Sequence, residues 1–202
     1  DSGTDVITNS GEMDIDSAAV STSTAVTFTV GGVSASISTS TADAKANAID
    51  GGEDDDVIEN TGSLTVDSCS NAISANLALA CIGVAVAGDS VWDGGTTSGS
   101  TASVISGGAG NDFIRSGMID NLPTALATNI FATAGSLVST SSVSVTGAGI
   151  SGAISTGTSN ADARAIDAGT GNDAVINASD VTGTADADAY SVSVALTGGG
   201  GA

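Results

Sequence analysis

Gly107-Gly108-Ala109-Gly110-Asn111-Asp112-Phe113-Ile114-Arg115 is the stretch from which this chain is read. Its glycines permit backbone conformations that a Cβ blocks. Its Asp holds a carboxylate at a set place in the turn, and Ile114 starts a strand facing a core. The stretch recurs. Around Asp173 the chain reads Ala168-Gly169-Thr170-Gly171-Asn172-Asp173-Ala174-Val175, and around Asp56 it reads Gly51-Gly52-Glu53-Asp54-Asp55-Asp56-Val57-Ile58. It opens on Asp1-Ser2-Gly3-Thr4-Asp5-Val6-Ile7, the second half of a fourth copy. Asp5, Asp56, Asp112 and Asp173 are spaced by 51, 56 and 61 residues. One glycine-rich match is a weak signal, whereas four in register mark a repeat.

The agreement extends past the glycines. Seven residues before the Asp stand Ile49, Ile105 and Ile166; two after it stand Ile7, Ile58, Ile114 and Val175. Four after it come Asn9, Asn60, Ser116 and Asn177; eight after it come Met13, Leu64 and Val181, with Asp120 the exception. The block aligns without a gap, so the length differences are expected between blocks. The chain divides into repeats of about 1–48, 49–104, 105–165 and 166–202, one elongated domain in which each unit stacks on the next.

The nonapeptide G-G-x-G-x-D-x-U-x, with U a large aliphatic, resembles the RTX (haemolysin-type) calcium-binding β-roll repeats of secreted bacterial proteins. The longer unit looks like those of giant repetitive bacterial surface and adhesin-like proteins. The resemblance covers four loops of roughly nine residues and their flanking strands. It implies an all-β, right-handed parallel β-solenoid of about four stacked repeats, with Ca²⁺ as its ion. RTX nonapeptides follow one another directly, two per coil, whereas here one occurs per long repeat. Calcium sites between adjacent nonapeptides therefore do not carry over, and calcium must lie between loops of successive long repeats.

On that arrangement Asp5, Asp56, Asp112 and Asp173 form one column of like charges, which is unfavourable unless something neutralises it. A Ca²⁺ between neighbouring loops does so with carboxylate and carbonyl oxygens. Asp54, Asp55, Asn111 and Asn172 stand beside the column as further ligands, and Asp50 and Asp167 join them at a matched offset. The opposing reading is a metal-free turn with solvated carboxylates.

Composition narrows the function classes. The chain has 202 residues, of which 23 are acidic and three basic (Lys45, Arg115, Arg164), a net charge of −20. That excess argues against nucleic acid, which requires clustered Lys and Arg, and against anionic membranes. Aromatics are 2% and much of the 41% hydrophobic content is Ala, which suits thin, closely stacked sheets. A mean hydropathy of +0.29, with registered aliphatic positions, argues against disorder. There is no His, so zinc and haem sites are disfavoured. Cys69 and Cys81 read equally as a disulfide or as two small buried thiols. No run of about 18 large apolar residues predicts a membrane-spanning helix. No signal-peptide pattern opens the chain, which reads as a mature product or a piece of something longer.

Along the chain, Val20, Thr22, Thr24, Val26, Phe28 and Val30 alternate on one strand face until Gly31-Gly32 breaks it. Ala42, Ala44, Ala46 and Ala48 should pack inward while Asp43, Lys45 and Asn47 face water. Leu77, Leu79, Cys81, Val84 and Val86 are expected to form the apolar middle of the second copy. Trp92 is read as a partly covered turn residue beside Asp93-Gly94-Gly95, and Pro123 as a corner. Identical positions should form ladders, Ile on Ile inside and Asn9 near Asn60, with one wide coil per repeat. Ile49, Ile58, Ile105, Ile114, Ile166 and Val175 are expected to be buried. No segment sustains a helical period.

The acids recur by repeat and do not form one unique cluster, which argues against an enzyme such as a polysaccharide-acting β-helix. An ice-binding stalk needs Thr at one position in every coil, but the counterparts of Thr170 are Ala109, Glu53 and Ser2. A calcium-dependent adhesin is the nearer alternative. The preferred reading is a structural filament or surface-fibre subunit or segment, extracellular or at the cell surface. Its partners are copies of itself, head to tail, or the continuation of one long chain. The run from Gly198 to Ala202 followed by Asp1 to Ile7 makes a near-complete motif, about two residues out of register.

Overall fold

The structure, a computed structural model, describes residues 2–89, 95–117 and 128–201; the readings of Trp92, Asp93-Gly94, Asp120 and Pro123 lie outside them. Each of the first three copies contributes a short, a long and a medium strand. The first gives β1 (Val6–Asn9), β2 (Met13–Ile37) and β3 (Thr41–Asp50). The second gives β4 (Val57–Asn60), β5 (Leu64–Gly88) and β6 (Thr96–Ser106), and the third β7 (Phe113–Ser116), β8 (Asn129–Ile154) and β9 (Gly157–Asp167). The fourth gives β10 (Ala174–Asn177), β11 (Asp180–Thr197) and β12 (Gly200–Gly201). The described residues contain no helix.

All pairing is parallel and runs from copy to copy. The sheet orders are β1-β4-β7-β10, β2-β5-β8-β11 (with β12 also on β8) and β3-β6-β9. Ile7, Ile58, Ile114 and Val175 are register partners, as are Ile49, Ile105 and Ile166. Such pairing suits a chain whose copies repeat the same residue at the same place, because each ladder then stacks like on like. The fold is thus all-β with parallel sheets, compatible with a β-solenoid.

Register locates the length differences. Met13 pairs with Leu64, and Val181 with Ile130, at 51 residues; Leu64 pairs with Ile130 at 66 (130 − 64). The unit is therefore 51 residues, with five more in the second copy between Gly88 and Thr97. Ten more fall in the third, between Ser116 and Ile130. This corrects the ungapped alignment: Ile130, not Asp120, is the counterpart of Leu64.

The long strand folds back on itself. At Gly32, Gly83 and Gly149 φ is +116°, +127° and +139°, and a Cβ on Gly83 would collide with the Gly32 carbonyl oxygen. Beyond this arc the second arm faces the first. Thr27 Oγ1 and Ser34 Oγ are 2.8 Å apart, and Ser36 Oγ donates to the Ala25 carbonyl at 2.6 Å. The β3-β6-β9 sheet continues that opposing layer. Ser70 and Ser98 hydroxyls bond at 2.7 Å, Ser100 Oγ donates to Ser68 Oγ at 2.9 Å, and Ser159 Oγ to Ser136 Oγ at 2.7 Å.

Two interiors result. At the end carrying the short strands, three sheets enclose an aliphatic core of Ile49, Ile58, Leu64, Val66, Val104, Ile105, Ile114 and Ile130, with Ile7, Met13, Ile15 and Ile166 against it. Toward the arc the molecule is a two-layer blade whose interior is mostly Ala, Ser and Thr, with Val138, Asn76 and Asp89 also buried. Ala42, Ala44 and Ala46 are buried as expected, whereas Val175 lies in the last short strand and is 45% exposed.

The blade reverses one expectation. In β5 the buried side chains are Ala72, Ser74, Asn76, Ala78 and Ala80; Leu77 and Leu79 point outward and are half-buried. Leu77 stands in a row with Val26, Val143 and Val194, and Leu79 with Phe28, Val145 and Leu196. Val26 and Phe28 are 62% and 63% exposed. Of the residues expected inside, Val84 is half-buried and Val86 exposed. Two layers this close have room for Ala and Ser, so the larger side chains take the outer face. Cys69 and Cys81 are both free and exposed on that face. Twelve residues of extended strand separate them by about 40 Å, too far for a disulfide.

Replacing Ile114 with Asp is expected to destabilise the fold by roughly 3–5 kcal/mol, because an unpaired charge would be buried. Thr101→Asp, on an outer face, should change stability by no more than about 0.5 kcal/mol. Urea denaturation of both variants measures the contrast.

Candidate functional site

The repeated loop turns at a glycine. Gly52, Gly108 and Gly169 have φ of +106°, +97° and +88°. A Cβ on Gly108 would collide with the Gly52 carbonyl oxygen, and one on Gly169 with that of Gly108. Successive loops therefore lie backbone on backbone, with Ala109 N–H donating to the Gly52 carbonyl at 2.8 Å and Thr170 N–H to that of Gly108 at 2.9 Å. The second copy has Asp54 where the others have Gly3, Gly110 and Gly171. Asp54 keeps a positive φ of +79°, a conformation that Asp tolerates better than most residues.

This close stacking brings Asp5, Asp56, Asp112 and Asp173 into one column. Asp5 N–H donates to Asp56 Oδ1 at 2.8 Å, Asp56 N–H to Asp112 Oδ1 at 2.9 Å, and Asp112 N–H to Asp173 Oδ1 at 3.0 Å. The carboxylates of Asp56, Asp112 and Asp173 are each held by the backbone of the preceding copy. Asp56 and Asp112 are 1% and 2% exposed, so the solvated-carboxylate alternative does not describe them.

A second column runs beside the first. Asp55 Oδ1 accepts from Asn111 N–H at 2.7 Å and from its Nδ2 at 2.9 Å. Asn111 Oδ1 accepts from Asn172 N–H at 3.0 Å and from its Nδ2 at 3.1 Å. Asp54 Oδ2 accepts from Gly3 N–H at 3.0 Å. Asp50 and Asp167 do not come together, because Ser106 stands between them in the row. Asp50 takes a hydrogen bond from Asn47 at 2.9 Å, and Asp167 takes one from Arg164 at 2.7 Å. The Arg164 guanidinium, which also bonds Asp162, holds the Asp167 carboxyl below the usual carboxylate range.

The remaining oxygens of the first column are the distinctive ones. Asp56 Oδ2 and Asp112 Oδ2 are buried and accept no hydrogen bond. A Cβ built on Gly51 would lie 2.6 Å from Asp56 Oδ2 and against the Gly107 carbonyl oxygen. One on Gly107 would lie 2.6 Å from Asp112 Oδ2 and against the Ala168 carbonyl oxygen. At each step a carboxylate oxygen and a carbonyl oxygen converge on a glycine. Two acceptors with no donor between them match the donor set of a hard cation. Among the described residues no three Asp, Glu, Cys or His side chains group around a point, so an ion here would draw mainly on one carboxylate and backbone carbonyls.

One buried carboxylate was not anticipated. Asp89, 3% exposed, accepts from Ser74 Oγ at 2.6 Å and Asn76 Nδ2 at 3.2 Å, and its Oδ2 has no partner. Its neighbours in the stack are Ser38 and Ser155, so no repeat pattern points to it. Comparison of the chain with protein-family models, curated proteins and solved structures finds no match.

Asp112→Ala removes the acceptor of the buried Asp56 N–H and is expected to cost about 1–3 kcal/mol. Asp112→Asn retains an acceptor and should keep the ladder. Equilibrium denaturation, with hydrogen exchange at the Asp56 amide, distinguishes the two.

Proposed function

We propose that this chain is a structural element of an extracellular or cell-surface fibre, a right-handed β-solenoid of stacked repeats related to RTX-type repeats and stiffened by calcium. The observation that carries the reading is the copy-to-copy continuity of all three sheets, reinforced at every step by an Asp carboxylate on a backbone N–H. Such a stack adds units without changing its cross-section. Its terminal strands, β1, β2 and β3 at one end and β9, β10 and β11 at the other, are each paired on one side only. An open strand edge is a template for another strand. A heterologous contact between opposite ends does not close and propagates as a fibre. The next unit is a further copy or the continuation of the same chain. The row of four loop aspartates, one per copy, also suits a scaffold more than a catalyst.

Calcium enters the reading through the orphaned oxygens. Asp56 Oδ2 with the Gly107 carbonyl, and Asp112 Oδ2 with the Ala168 carbonyl, would hold it. The exposed carboxylates of Asp54 and Asp55 stand in the same loops. A bound Ca²⁺ would supply positive charge to a chain of net charge −20 and oppose the self-repulsion that such a charge produces.

Electron microscopy and light scattering in calcium test the fibre reading: elongated assemblies of uniform width are expected, and a monodisperse 19.0 kDa particle at all concentrations overturns it. The calcium reading has its own test. Millimolar calcium should raise the melting temperature over chelator, and Asp112→Asn should lose most of that increment. If no cation binds there, Asn Nδ2 can donate to the Ala168 carbonyl, and the variant will melt higher than the wild type in chelator and calcium alike.

A further inference from the structure

Charge in this protein is segregated by position in the coil. No residue is charged from Ser17 to Ala42, from Ser68 to Gly88, from Asn129 to Ala161, or from Ala189 onward. These segments build the blade, and among the described residues the acids lie toward the end bearing the loops, apart from Asp89, which is buried between the blade's layers. The blade's outer face on the long sheet is also strongly apolar. Its two aliphatic rows, those of Leu77 and Leu79, are flanked by a row that is small in the first three copies, Thr24, Ala75 and Ser141, and Val192 in the fourth. A shallow groove runs between the small row and the Leu77 row. Monomeric proteins rarely leave such a contiguous apolar face uncovered.

We infer that this face pairs with the same face of a second copy, sheet against sheet, so that stacks associate laterally as well as end to end. The inference does not rest on calcium or on end-to-end growth. Three properties favour a second copy over another occupant. The first is area. Four strands about 4.8 Å apart and about nine residues at ~3.3 Å each make a face of roughly 570 Å². A pair then buries on the order of 1,100 Å², enough for a specific interface.

The second is shape. A two-fold axis parallel to the stack and passing between the Leu77 rows seats each Leu79 row in the partner's small-residue row. Rows remain opposite rows however long the stack becomes, which is the self-complementarity an isologous contact requires. The third is charge. That axis points the acidic ends of the two copies to opposite sides. Asp188, the nearest acid on that outer face, then lies about 40 Å from its mate, several Debye lengths at physiological salt, and Asp89 is buried behind the sheet. A net charge of −20 therefore does not oppose this pairing as it would an arbitrary one.

Sedimentation and cross-linking test the inference. In a chain carrying Cys69→Ser and Cys81→Ser, Leu77→Cys should oxidise to a covalent dimer. Thr101→Cys, on the opposite outer face, should not; end-to-end contact brings neither position to its own mate. Leu77→Thr with Leu79→Thr, side chains that suit an exposed strand, should raise the concentration for lateral pairing at least about tenfold. Val143→Thr with Val145→Thr repeats the test in the third copy should the first variant fold poorly. Equal cross-linking at both positions, no cross-linking at Leu77, or unchanged pairing in both Thr variants overturns the inference. So does a chain that stays monomeric while binding vesicles of neutral phosphatidylcholine, which would make lipid the occupant.

Discussion

Each of Asp56, Asp112 and Asp173 turns one carboxylate oxygen onto the backbone N–H of the same residue one copy earlier. The loops can approach that closely only because glycine stands where a Cβ would strike the neighbouring carbonyl. Together these two conditions set the register of the whole stack. Once the Asp column is in place, Ile58 falls on Ile114 and Asn9 on Asn60, and the aliphatic end of the coil closes around matched side chains. A slip of one residue would send every inward side chain to the outer face.

The same register explains why insertions are tolerated. The five and ten additional residues of the second and third copies enter where one strand hands over to the next, between Gly88 and Thr97 and between Ser116 and Ile130. The ladders on either side resume with the corresponding residues paired, Thr41 with Thr97 after the first insertion and Leu64 with Ile130 after the second. Parallel stacking asks only that each strand return above its counterpart, and the length of the connection is a secondary matter.

The blade carries a distribution of polarity unlike that of an ordinary core. Its interior is bridged by hydroxyls, Ser70 to Ser98 and Ser159 to Ser136, while Val, Leu and Phe occupy the outside. Small residues permit the two layers to approach, and several hydroxyls find partners across the gap, while Ser23 Oγ, Asp89 Oδ2, Thr96 Oγ1 and Ser142 Oγ are buried there without a hydrogen bond. The larger apolar side chains are then available at a surface free of charge. The acidic loop end and the outer face of the long sheet are distinct surfaces of one molecule, and each repeats related residues from copy to copy.

Much of this was legible in the residues. Glycine and Asp at one spacing, with Ile at two fixed offsets, determined the repeat, the loop, the inward position of Ile49, Ile58, Ile105 and Ile114, and the column of aspartates. Period-two alternation determined that the rest is strand. Alternation, however, says that two faces differ and not which is inside. Leu77 and Leu79 read as core because they are larger and more apolar than Ala78 and Ala80. Only the fold-back at the arc glycines, which sets the layers too close for Leu, put the smaller face inward. Likewise the sequence placed Asp50 and Asp167 at a matched offset, but only the stacking order set Ser106 between them. That Asp56 and Asp112 each bury one bonded and one unbonded oxygen follows from the approach of successive loops, a distance that no single copy contains.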